Sequence, residues 1–129
     1  MTERQLLESY RATVEELNIF GELLDEVEKI LAQHKSWQQL EEEDEGLRLS
    51  QGHMRIAVGA RRKLLDYMVG GFTEVVNRFE PEERLVLMCY YGMGMNQDSV
   101  AERLRMSKQR VGMILNGCLL KIDAREEAG

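Results

Sequence analysis

The chain has 129 residues, 43% hydrophobic and 31% charged, with a formal net charge of −6, a mixture that folds in water as one or two small domains rather than staying disordered. No stretch reaches the roughly 18 consecutive apolar residues of a membrane span. Met1-Thr2-Glu3-Arg4-Gln5 has neither the basic start nor the apolar run of a secretory signal, so a cytoplasmic protein with no membrane partner is expected. The acidity is local: residues 1–45 carry four basic and thirteen acidic side chains, net −9, whereas residues 46–129 carry thirteen and ten, net +3. A polyanionic partner for the C-terminal part is therefore not excluded, because attraction to phosphate depends on the face presented to it.

Thr2 and Gln5 form a capping-box pattern, which predicts a helix start at the N-terminus. Leu6, Tyr10, Thr13, Leu17, Phe20, Leu24, Val27, Leu31 and His34 then follow at steps of four and three, a heptad-like seam. The pattern predicts one long amphipathic helix or a helical hairpin, with Asn18 and Gly21 as the candidate breaks. The seam can pack in the same chain or form a homodimer through residues 3–36. Glu15, Glu16, Glu22, Asp25, Glu26 and Glu28 flank it with one sign, which disfavours a parallel homodimer. The run Glu41-Glu42-Glu43-Asp44-Glu45-Gly46 reads as an exposed linker or a frayed helix end. From about Ser50 a second helical stretch runs through Met54, Val58, Leu64, Leu65 and Met68 to a break at Gly70-Gly71. Its basic triplet Arg61-Arg62-Lys63 is either a phosphate contact or a solvated face.

Pro81 suits a first helical turn, and Glu82 and Glu83 complement the helix dipole there, which predicts a helix from Pro81 to Tyr91. Its buried stripe is expected to be Leu85, Met88 and Cys89, with Leu87 and Tyr91 beside them, and Gly92 and Gly94 are the stop. Asn96 can cap a short helix, Gln97 to Leu104, whose small Ala101 permits a close helix crossing. Ser107 can cap a third helix with Val111, Ile114, Leu115, Cys118, Leu119 and Ile122 on its apolar side. Two short helices joined by a tight turn match a helix-turn-helix, whose second helix enters the major groove of double-stranded DNA. The outward positions at the start of that helix are Lys108, Gln109, Gly112, Met113 and Asn116, with Arg110 at the flank. Cations suit guanine or phosphate, and amides suit adenine.

The run from Phe79 to Ile122 resembles region four of sigma factors. The pattern is carried by Pro81-Glu82-Glu83-Arg84, the Tyr91-Gly92 turn, Val100-Ala101 with Leu104, and Ser107 followed by Arg110-Val111 and Ile114. The resemblance implies an all-α fold: a long N-terminal amphipathic helix or helical hairpin followed by a sigma region-four-like helix-turn-helix bundle. It also implies RNA polymerase as a partner. Arg105 departs from the family, whose turn usually has glycine there, and Gly112 and Met113 replace long polar readers, which thins base readout. Domains for promoter melting are not represented. In size and architecture the chain resembles small phage and prophage regulators of the RinA and ArpU kind.

These expectations divide the chain into an acidic arm (1–45, a candidate coiled coil), connecting helices and linker (46–78), a DNA-binding domain (79–122) and a tail (123–129). Phosphate contacts are expected from Arg103, Lys108 and Arg110, with the start of the recognition helix set by Ser107. Base contacts are expected from Gln109, Met113 and Asn116. The runner-up is an adaptor that binds RNA polymerase or a sigma factor without reading sequence, and a structural coiled-coil protein is third. No nucleophile-base pair, phosphate-cradling loop or metal spacing is present, so neither an enzyme nor a cofactor is expected. Cys89 and Cys118 are expected as buried free thiols, and no metal-binding role is expected for them or for His34 and His53.

Overall fold

The computed structural model describes residues 1–33 and 41–128, and among them it is all α, with no strand. Five helices follow one another: α1 (Glu3–Gln33), α2 (Glu41–Val76), α3 (Pro81–Leu87), α4 (Gln97–Leu104) and α5 (Lys108–Ala128), with a π-helical turn over Met88–Gly92 after α3. The chain divides into two compact units, residues 1–15 with 65–129, and residues 16–64. His34 lies outside the described residues.

The capping box at the start of α1 forms as expected: the Thr2 N–H donates to Gln5 Oε1 at 2.9 Å, and the Gln5 N–H to Thr2 Oγ1 at 3.1 Å. The expected breaks do not occur. α1 runs through Asn18 and Gly21, and the acidic run from Glu41 is part of α2. α2 also continues through Gly70-Gly71. There the second glycine serves contact rather than bending: a Cβ on Gly71 would sit 3.0 Å from Leu6 Cδ2, so its absence lets α1 and α2 approach closely. One residue on, Tyr10 stacks on Phe72 with ring centroids 4.2 Å apart.

The seam of α1 faces its own chain. Thr13 is buried because its hydroxyl donates to the Ser9 carbonyl at 2.8 Å, which satisfies the polar atom inside the helix. In the unit of residues 16–64, Arg61 turns inward over the Phe20 ring and donates to Glu16 at 2.8 Å. The basic triplet is thus split, and only Arg62 and Lys63 remain exposed.

The first unit holds the main core: Leu7 from α1, Phe72, Val75 and Val76 from α2, Val86 and Leu87 from α3, then Cys89, Tyr91, Val100 and Ala101, closed by Val111, Leu115, Cys118 and Ile122 of α5. A fully buried Val or Leu contributes about 1.5–3 kcal/mol. α3 and the π-helical turn together run from Pro81 to Gly92, close to the expected Pro81 to Tyr91, but the stripe is rotated: Val86 and Leu87 are buried, while Leu85 and Met88 stay about half exposed. The π-helical turn adds a residue to the last turn and carries Cys89 and Tyr91 into the core. Gly92 lies against the ring of Phe72, and Gly94 adopts a positive φ of 71°. α5 also outruns its expected end at Ile122. Asp123 accepts from Arg4 at 2.7 Å and Glu126 from the Glu3 N–H at 2.7 Å, so the expected tail is helix.

Candidate nucleic-acid interface

α4 and α5 are joined by Arg105, Met106 and Ser107 alone. Asn96 caps α4 by accepting the Ser99 N–H at 2.8 Å, as its sequence position suggests. At the far end, Arg105 takes the left-handed conformation (φ 56°, ψ 48°), its N–H reaching the Glu102 carbonyl and the Met106 N–H the Ala101 carbonyl at 3.0 Å. This is a Schellman closure with arginine in the position that glycine usually fills. Arg105→Gly is expected to stabilise the protein by about 1 kcal/mol by removing the Cβ clash, raising Tm by roughly 3–5 °C in thermal unfolding followed by circular dichroism. An unchanged or lower Tm would mean that arginine contacts offset the strain.

Ser107 then caps α5, its hydroxyl accepting the Arg110 N–H at 3.1 Å. Beneath the cap, Val111 is wholly buried and Ala101 nearly so, which fixes α5 against α4. The consequence is an outward face on the first turns of α5. Lys108, Gln109, Arg110, Met113 and Asn116 are all exposed, and Gln109, Met113 and Asn116 follow at steps of four and three on one line. Met113 is 68% exposed. Arg103 is exposed as well, but on α4 rather than α5.

Two features of this face are not legible from spacing. Gln97, the first residue of α4, lies over α5, its Oε1 3.4 Å from where a Cβ on Gly112 would sit, so an amide from the neighbouring helix lies against α5 at Gly112. The cations are also countered internally. Lys108 Nζ lies 3.2 Å from Asp98, and Arg110 donates to one oxygen of Glu82 at 2.7 Å through Nε, with its terminal nitrogen at 2.6 Å. All four side chains are exposed, so these pairs are weak and screened by salt.

Behind the face, Glu83 accepts from Lys121 at 2.9 Å and from Cys118 Sγ at 3.7 Å. The Lys121 hydrogen bond holds its carboxyl below the usual range. Burial, with Glu83 beside it, pushes the Cys118 thiol up to about 12, and burial also raises Cys89; both are free, buried thiols as expected. Arg11 of α1 secures the approach to α4. It donates to the carbonyls of Tyr90 and Met95, the latter at 2.8 Å, and its guanidinium lies 3.8 Å over the Tyr90 ring.

No helix among the described residues is long and apolar enough to cross a membrane. No curated protein and no solved structure matches the chain. Residues 76–124 match the family model of sigma-70, region 4, a span that takes in the last residue of α2 and all of the α3 to α5 assembly up to Ala124. That part of the chain is a sigma-70 region-four-like helix-turn-helix module, a DNA-binding fold of the transcription apparatus.

Proposed function

We propose that the protein is a transcription regulator that places α5 in the major groove and acts together with RNA polymerase in the cytoplasm, without a catalytic activity of its own. The observation that carries this reading is the line Gln109, Met113 and Asn116, exposed on the helix that follows a capped three-residue turn. In this role Arg103, Lys108 and Arg110 hold phosphate, Ser107 fixes the start of the helix, and Gln109, Met113 and Asn116 contact base edges. Two amides and a thioether supply modest selectivity, so useful affinity needs a second module or the polymerase. The resemblance to phage and prophage regulators in size and architecture supports the same reading.

Selection of motifs from a random duplex pool at several salt concentrations tests the proposal. Enrichment of a defined motif supports it, and uniform, salt-labile binding without a motif sinks the reader role. Internal pairing of the cations adds a prediction of its own. Glu82→Gln frees Arg110 and removes a like charge from the phosphate approach, so duplex affinity is expected to rise, by up to roughly fivefold at low salt and less as salt screens the pair. Fluorescence anisotropy checks this, and weaker binding would show that Glu82 positions Arg110 rather than competing for it.

The same pairing favours one second reading, an adaptor that docks on RNA polymerase or a sigma factor without sequence readout. Leu85 and Met88, 51% and 50% exposed on the α3 side, give such an adaptor apolar contacts away from α5. A protein that captures polymerase but enriches no motif would be this adaptor.

A further inference from the structure

The first turns of α5 carry more than the line Gln109, Met113 and Asn116. Beside that line, and sharing Gln109 and Met113 with it, lies an open hollow of about 440 Å³, bounded also by Ile114, Gly117, Ser107 and Arg110. Positions 110, 113, 114 and 117 are three, four or seven residues apart, so they form one patch of the helix surface. The patch occupies the flank of α5 between the exposed line and the buried stripe of Val111, Leu115, Cys118 and Ile122, with Glu83 of α3 at its edge.

Gly117 keeps the hollow open. Glycine is among the least favourable residues for a helix interior, and packing within the described residues does not require it. Nothing beyond the adjoining backbone of the helix lies within 4 Å of a Cβ placed there. Gly112 differs, because Gln97 Oε1 stands 3.4 Å from its Cβ position. A long side chain at 117 would stand in the hollow beside Met113 and Ile114.

The chemistry of the walls selects the occupant. Exposed Met113, half-buried Ile114 and the Cα of Gly117 present carbon. Glu83 repels an anion, and it is already engaged: it accepts from Lys121 at 2.9 Å and from the Glu80 N–H at 3.2 Å. Phosphate is therefore a poor fit, and a small apolar group a good one. Among the four bases, the C5 methyl of thymine is the one apolar group that an edge presents in the major groove, the others offering donors and acceptors.

We infer that the hollow receives the methyl of a thymine, with Gly117 as the residue that admits it and Met113 and Ile114 as its walls. The inference rests on the proposed placement of α5 in the major groove. It adds to that reading a base preference set by shape rather than by the amides of Gln109 and Asn116.

Wild-type protein first selects its motif from a pool of unmethylated random duplexes, in which thymine is the only carrier of a C5 methyl. Each thymine of the enriched duplex is then replaced in turn by deoxyuridine, which lacks that methyl alone, and affinity is read by fluorescence anisotropy. One position is expected to lose roughly fourfold, the effect of returning one methyl group to water. Gly117→Leu, whose side chain fills the hollow, is expected to bind the thymine and uracil duplexes equally, and thermal melting reports that it folds. At the sensitive position, cytosine with and without a 5-methyl separates the two sources of this group: tightest binding to thymine supports the inference, and tighter binding to methylcytosine overturns it. A motif with no uracil-sensitive thymine overturns the inference and leaves the reader proposal standing, as does a uracil effect that persists in folded Gly117→Leu. The wild-type uracil series is decisive if that variant does not fold. A pool that yields no motif sinks both.

Discussion

Replacing Lys108 and Arg110 together by alanine is expected to weaken duplex binding on the order of a hundredfold at low salt, since in the proposed role each makes a charge-assisted contact to phosphate that is then lost. The dependence of log affinity on log salt should flatten by about 0.9 per lost contact, or roughly 2 for the pair. Loss of the cations also leaves Asp98 and Glu82 without these ion-pair partners, which adds repulsion of phosphate where α5 lies in the groove as proposed. Ser107 still caps α5, and both side chains are exposed, so the melting temperature should change little. Anisotropy titrations at several salt concentrations, run beside thermal melts, separate the two effects. Binding that stays at the wild-type level with an unchanged salt slope would remove α5 from the DNA contact.

Leu7→Ala should have the largest effect on stability. Leu7 is wholly buried and belongs to the same cluster as Val86, Leu87, Val100 and Val111, although it lies far outside the matched residues 76–124. Truncating a fully buried leucine costs about 2–5 kcal/mol, so Tm should fall by about 10 °C or more. Leu6→Ala, at a half-buried position, should cost less. A Tm within a degree or two of wild type for Leu7→Ala would show that the start of α1 is not part of the helix-turn-helix core.

The part of the fold that the sequence predicted best lies from Pro81 onward. Its signals there are local and chemical: proline in a first turn, Asn96 and Ser107 as caps, and Arg105 where a left-handed residue is required. Each depends on a few neighbouring residues, so periodicity and capping rules reach it. The long helices were less legible because distant packing overrides local preference. Gly21 and Gly70-Gly71 look like breaks, yet α1 and α2 pass through them, and at Gly71 the reason is Leu6, some sixty-five positions away. α3 misled for a related cause. A π-helical turn shifts the phase that a regular 3.6-residue period assumes, so Leu85 and Met88 face outward and Val86 inward.

The candidate site was legible as a set of positions but not as an electrostatic arrangement. Lys108, Gln109, Arg110, Met113 and Asn116 all emerge on the exposed start of α5. The pairing of Arg110 with Glu82 and of Lys108 with Asp98 joins residues on different helices, 28 and ten positions apart. Neither spacing is a signal within a single helix. Gln97 above Gly112 was hidden in the same way.

The core that carries α5 joins residue 7 to residue 122, and Arg4 reaches Asp123. Contacts of such long sequence separation form after the local helical ones, because distant parts of the chain must come together before their contacts repay the entropy of closure. On a ribosome elongating at about 5–20 residues per second, the first helix emerges on the order of ten seconds before the last one exists. Through that interval Leu7 has no completed pocket, and the caps at Asn96 and Ser107 can organise the short helices only after most of the chain has been made. The surface proposed to meet DNA is therefore among the last parts of the molecule to become rigid.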